Sequence, residues 1–193
     1  LSVAHGVLNN LGSSDGGVTW TATLTPTADV TDTSNLITLD NSGVQTAAGN
    51  AGSGSTDSNN YAIDTQRPTA TISVTNGTLG IGQTTTVTIG FSEAVTGFTL
   101  SDLSVANGVL SNLASNDGGK TWTATLTPTA AITDATNLIV LDAGQVSDAA
   151  GNAGSGIAIS NNFVIDGERP TATISIGNPN LTVGQTRSEE RRV

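Results

Sequence analysis

The chain contains no cysteine and no methionine, a single histidine, and only six lysines and arginines among 193 residues. Without cysteine there is no disulfide framework, no zinc–thiolate centre and no thiol nucleophile. An extracellular domain of this kind must hold together by core packing, or by something added, such as a metal ion. Aromatic residues make up 3% and charged residues 11%, so a few aromatic anchors must serve a core of small aliphatic side chains. No apolar run is long enough to span a membrane, which excludes membrane insertion by a helix. No segment has the basic, apolar, small-residue order of a secretion leader. The formal charge of −10 has the wrong sign for nucleic acid or an anionic lipid surface. It suits solubility, or oxygen-rich sites for a hard cation.

What is present is a repeat. Asp15-Gly-Gly-Val-Thr-Trp-Thr-Ala-Thr-Leu-Thr-Pro-Thr-Ala28 returns as Asp117-Gly-Gly-Lys-Thr-Trp-Thr-Ala-Thr-Leu-Thr-Pro-Thr-Ala130. Trp20 and Trp122 lie 102 residues apart, and so do Gly49 and Gly151, Asp64 and Asp166, and Pro68 and Pro170. A long period without insertions marks tandem copies of one folding unit, and its length is that of a common single domain. The expected organisation is a repeat lacking its first strands over 1–66, a complete repeat over 67–168, and the first strand of a third over 169–186. Where the repeat predicts Thr-Thr-Val-Thr-Ile, the chain instead ends Arg187-Ser-Glu-Glu-Arg-Arg-Val193. That heptapeptide resembles the in-frame translation of a widely used sequencing adapter, and it is set aside as non-native. Without it, three cations (Arg67, Lys120, Arg169) face fourteen carboxylates.

Within the complete copy, period-two alternation predicts strands. Ala70, Ile72 and Val74 share one face of a strand; Val87, Ile89 and Phe91 share a face of the next. Trp122, Ala124 and Leu126 point inward from a third, with threonines on the solvated side. Asn76-Gly77, Asn107-Gly108 and Asn116-Asp-Gly-Gly119 are turn signals. Asn137–Leu141 reads as a central strand, and Phe163 and Ile165 point inward from the last. About seven short strands in a hundred residues, with no helical periodicity, predict an all-β antiparallel Greek-key sandwich. Trp20 and Trp122 are read as core anchors.

The strings Phe91-Ser-Glu-Ala-Val95, Thr121-Trp-Thr-Ala-Thr-Leu-Thr-Pro128, Asp148-Ala-Ala-Gly-Asn152 and Ile63-Asp-Thr-Gln-Arg-Pro68 together resemble the bacterial immunoglobulin-like repeats of very large surface adhesins. The resemblance covers residues 1–186. It implies tandem immunoglobulin-like sandwiches outside the cell, an origin in proteins commonly exported by type I secretion, and calcium at domain junctions in several members.

Catalysis finds little support. His5 has Asn107 as its repeat partner, so a Ser-His-Asp triad would exist in one copy only, and the recurring Asp15 and Asp117 sit in Gly-rich turns that favour aspartate for backbone reasons. A metal site is the sharper expectation. Alternate loops of a sandwich gather at one end, which brings Glu93, Asp117, Asp148 and Asn152 toward the incoming linker with its Asp64. Oxygen ligands converging where two copies meet would suit calcium, with Asp32 a weaker candidate from the other side. Against this, neither an EF-hand loop nor a Gly-Gly-x-Gly-x-Asp nonapeptide occurs, and Thr46 replaces Asp148 in the first copy. The expected function is a structural spacer whose partners are neighbouring repeats of the same chain, any glycan or host surface being met by other domains. The alternatives are a weakly binding glycan or surface module acting by avidity, or an accessory domain of a secreted hydrolase.

Overall fold

The computed structural model describes residues 1–176, 180, 182–184 and 190–192. Residues 187–189 and 193 of the charged tail lie outside the described residues.

The first copy comprises β1 (Ser2–Val3), β2 (Gly6–Gly12), β3 (Thr21–Pro26), β4 (Thr31–Asn35), β5 (Ile37–Asp40), β6 (Ser55–Asp57) and β7 (Tyr61–Asp64). The second comprises β8 (Ala70–Val74), β9 (Thr78–Gly80), β10 (Thr85–Phe91), β11 (Leu103–Val105), β12 (Gly108–Ser115), β13 (Thr121–Pro128), β14 (Thr133–Asn137), β15 (Ile139–Asp142), β16 (Ile157–Ile159) and β17 (Phe163–Asp166). Then follow β18 (Thr173–Ser175) and β19 (Glu190–Arg192).

The second copy is a closed sandwich. One layer is the antiparallel sheet β12-β13-β10-β8; facing it are β11-β15-β16 and β14-β17-β9. Alternation along β10 puts Val87, Ile89 and Phe91 inside, where Val87 and Ile89 pair with Ala124 and Trp122 of β13. Leu79, Ile89, Leu126, Ile139, Leu141 and Phe163 lose all solvent contact. The aromatic anchors stack edge to face: Phe91 on Phe98 at 5.2 Å, and Phe98 on Trp122 at 5.3 Å between ring centroids. Such pairs add directionality to a core that is otherwise aliphatic.

Three strands depart from the expected seven. β9 was read as a turn, β14 as a crossover and β16 as part of a Gly-rich loop. β9 also pairs in parallel with β17, the one departure from an antiparallel pattern among the described pairs. The Asn76-Gly77 turn explains it: the chain leaves one sheet after β8 and joins the other at β9. A first strand that changes layers meets the last strand running the same way.

The two copies repeat one another in detail. Asn10 and Asn112 both take φ 55 at the same bulge, between Asn9 and Gly12 in one copy and between Ser111 and Ala114 in the other. Asparagine tolerates this left-handed conformation, and a bulge requires it. His5 and Asn107 likewise take φ 54 and φ 56 in equivalent turns.

The first copy is open, because it has no counterparts of β8 and β10. Its β2–β3 hairpin stands as a two-stranded sheet, and Ile63 is the only buried apolar residue among its described side chains. Trp20 corrects the reading of both tryptophans as core anchors. Its indole donates to Gly17 O at 3.1 Å, as that of Trp122 does to Gly119 O at 3.0 Å. Yet Trp20 is 58% exposed, since nothing stands where Phe91 and Phe98 would cover it.

One position shows what a single side chain does in this fold. In the second copy Asn107 Nδ2 donates to both Asp134 Oδ2 (2.9 Å) and Asn137 Oδ1 (3.0 Å). In the first, His5 Nε2 lies 3.3 Å from Asp32 Oδ2, and the buried Asn35 Oδ1 accepts no hydrogen bond from the protein. An unsatisfied buried acceptor is costly. His5→Asn is therefore expected to stabilise the first copy by about 1 kcal/mol, read as a higher denaturation midpoint for that copy alone. An unchanged midpoint would contradict this.

Candidate metal centre at the seam between copies

The seam is built on residues 64–69, where the last strand of one copy passes into the first strand of the next. Arg67 clamps it, its Nε donating to Ala153 O at 2.8 Å and its Nη2 to Gly154 O at 3.0 Å. Ser155 N donates to Pro68 O at 2.8 Å, and Asn152 Nδ2 to Asp64 O at 3.1 Å. Gly154 is required for this approach. A Cβ there would sit 2.2 Å from Ala143 O and 3.1 Å from Pro68 O, inside contact distance of backbone that cannot move away. Sequence reasoning passed over Arg67. Its signal was the Arg-Pro pair opening each copy, which recurs at Arg169-Pro170 with the same period.

Three carboxylates converge beside this clamp. Asp64 comes from the end of β7, Glu93 from the loop after β10, and Asp148 from the Gly-rich loop after β15. One oxygen of each lies within 4.8 Å of the others. Asp64 is the most exposed, Glu93 is half-buried and Asp148 is buried. Among the described residues no lysine or arginine forms an ion pair with any of the three.

The environments of the acids differ. Burial works against ionisation of Asp148, but hydrogen bonds outweigh it and hold its pKa below the ordinary value. Asn152 supplies two of them, from Nδ2 to Oδ2 and from its backbone N to Oδ1, both at 2.8 Å. Glu93 goes the other way: burial first, then the negative charges of Asp148 and Asp64, raise its pKa. The site is thus a fixed anion with two further carboxylates crowded against it.

Asp117 does not join the group. Its carboxylate turns back into its own loop and accepts from Ser115 Oγ (2.9 Å), Lys120 N (3.1 Å) and Thr121 N (2.8 Å). These bonds, those from Thr121 foremost, lower its pKa to about 2. Asp15 is held the same way in the first copy, also at about 2. Asn152 is at the site, with its amide nitrogen committed to Asp148 and Asp64. Asp32 is remote from it, accepting from Ser34 N at 2.8 Å and facing His5. In the first copy Thr46 Oγ1 accepts from Asn50 N at 3.2 Å. It keeps the loop-capping half of the role of Asp148 and lacks the charge.

The donor set fits a hard divalent cation. All three ligand atoms are carboxylate oxygens. Oxygens on opposite sides of a calcium ion bound at roughly 2.3–2.6 Å stand about 4.6–5.2 Å apart, and the three observed atoms lie within that span.

Two sheets packed on an aliphatic core, with the first strand switching layers and the last closing beside it, define an immunoglobulin-like sandwich. The chain belongs to the bacterial Ig-like domain family, which it matches twice, over residues 1–63 and 64–165. Asp64 opens the second match. Among curated proteins, none matches the sequence. A solved structure of FdeC, described as a broadly conserved Escherichia coli adhesin, is similar over 96% of this chain and 60% of that one, with 16% identity and a TM-score of 0.38. The chain therefore spans less than two-thirds of that structure. Among the described residues, no helix is long and apolar enough to cross a membrane.

Proposed function

We propose that this chain is a non-enzymatic spacer from a bacterial cell-surface adhesin, and that calcium bound at the seam locks successive copies in line. One observation carries the reading: Asp64 of one copy lies within 4.8 Å of Glu93 and Asp148 of the next, so the ligand set is complete only when both copies are in place. Near-identical tandem copies suit a spacer, which needs length and stiffness more than a unique pocket.

With a cation bound, bending the seam pulls the oxygen of Asp64 away from those of Glu93 and Asp148, and so breaks ligand bonds. Without one, three carboxylates repel across the same seam, while the contacts of Arg67 and Asn152 keep the linker seated. Calcium would thus act as a stiffener on a joint already formed. A glycan-binding role would need an exposed aromatic platform; in the complete copy Phe91, Phe98 and Phe163 are buried and Trp122 packs against Phe98.

Isothermal titration of calcium into the chain tests the reading. One site is expected, with Asp64→Asn weakening it by roughly tenfold or more, about 1.4 kcal/mol per decade. No binding heat, or equal affinity in the variant, would overturn it.

A further inference from the structure

We propose that the open groove of the first copy is a docking site for strand β18 of a second molecule of this chain. The groove has a volume of about 690 Å³ and is lined by Leu8, Leu11, Trp20, Leu24, Ile37 and Leu39 among others. Along its rim the outer edge of β3 is unpaired among the described strands. A groove that is apolar inside and bordered by a free strand edge recognises an extended segment with apolar side chains at alternate positions.

The second copy shows which segment fits. There the equivalent edge, that of β13, is taken by β10, with Val87 opposite Ala124 and Ile89 opposite Trp122. The equivalent first-copy positions are Ala22 and Trp20, both exposed. β10 carries Thr86-Val-Thr-Ile-Gly-Phe91. The segment around β18 carries Thr171-Ala-Thr-Ile-Ser-Ile176, with the same alternation of threonine and apolar residues and no charge. It is exposed throughout, Ile174 at 72% and Ile176 at 59%.

β18 pairs only with β19 among the described strands, so its other edge is free. Docked antiparallel to β3, it would put Ala172 and Ile174 where Val87 and Ile89 stand in the complete copy. The sheet would then run β2-β3-β18-β19 across two molecules, matching the observed order β12-β13-β10-β8. Acceptor and donor flank a complete copy at opposite ends of the sequence. The contact is therefore heterologous and propagates head to tail.

Sedimentation of the whole chain over a concentration series, with the two tryptophan indole N–H resonances followed in parallel, tests this. The weight-average mass is expected to rise from 19.2 kDa to at least twice that value, with the Trp20 resonance shifting and that of Trp122 unmoved. Ile174→Asp, in an exposed strand, is expected to abolish association and leave the melting of the second copy unchanged. A mass of 19.2 kDa at every concentration would overturn the proposal. So would undiminished association of the Ile174→Asp variant, which would point instead to two grooves packing face to face.

Discussion

Replacing Glu93 with glutamine is expected to raise the melting temperature of the chain in chelator at neutral pH, and to reduce the stabilisation that calcium confers. The two effects have one cause. Burial and the charges of Asp148 and Asp64 raise the pKa of Glu93 in the folded state. For an acid shifted upward, the favourable contribution is present below its unfolded value and is lost as pH rises through the folded one. At neutral pH the ionised Glu93 therefore opposes folding, and glutamine removes that opposition. Below the ordinary glutamate pKa the side chain is already protonated, so variant and wild type should converge there. Calcium reverses the balance, because the crowded charge becomes the ligand set. At a concentration about a hundredfold above Kd, binding to the folded state alone stabilises by about 2.7 kcal/mol, roughly 10–20 °C for a domain of this size. Glu93→Gln should lose much of that shift. A variant less stable than wild type in chelator would contradict the repulsion at the seam; an undiminished calcium shift would remove Glu93 from the ligands.

The second large effect separates the two copies. Amide protons of β13 in the closed sandwich should exchange only on opening of the whole domain, while those of β3, with a nearly identical sequence, should exchange far faster. The second copy buries Val87, Ile89, Leu126, Leu141 and Phe163 around its aromatic cluster; the first buries Ile63 alone among its apolar residues. A difference in opening free energy of about 3 kcal/mol corresponds to more than a hundredfold in exchange rate. Equal protection in the two hairpins would show that missing strands do not set local stability here.

Much of this architecture is written in periodicity. Val87, Ile89 and Phe91 alternate with polar residues on a strand buried on one face, so the inward set is readable directly. The bringing together of Asp64, Glu93 and Asp148 follows from turn spacing, since alternate loops of a sandwich share an end. What could not be read is which way a loop carboxylate points. Asp117 sits at the same end as the others. Its fate is decided by Ser115, Lys120 and Thr121, whose donors lie a few residues away and outcompete any distant partner. β16 escaped notice because Ile157 and Ile159 stand on its exposed face, opposite to the usual sense of an apolar alternation. The parallel pairing of β9 with β17 depends on the first strand changing layers at a turn, a three-dimensional event with no periodic trace. The exposure of Trp20 was obscured by its near-perfect sequence match to Trp122, whose burial depends on strands elsewhere in the chain.

The most direct test is of the joint itself. The chain has no cysteine, so Thr25→Cys and Thr127→Cys, at equivalent exposed sites in the two copies, would be the only points of spin labelling. Electron–electron distance distributions between them should be broad in chelator and narrow in calcium, and should stay broad in calcium when Asp64→Asn is added. Identical distributions with and without calcium would contradict a cation-stiffened seam.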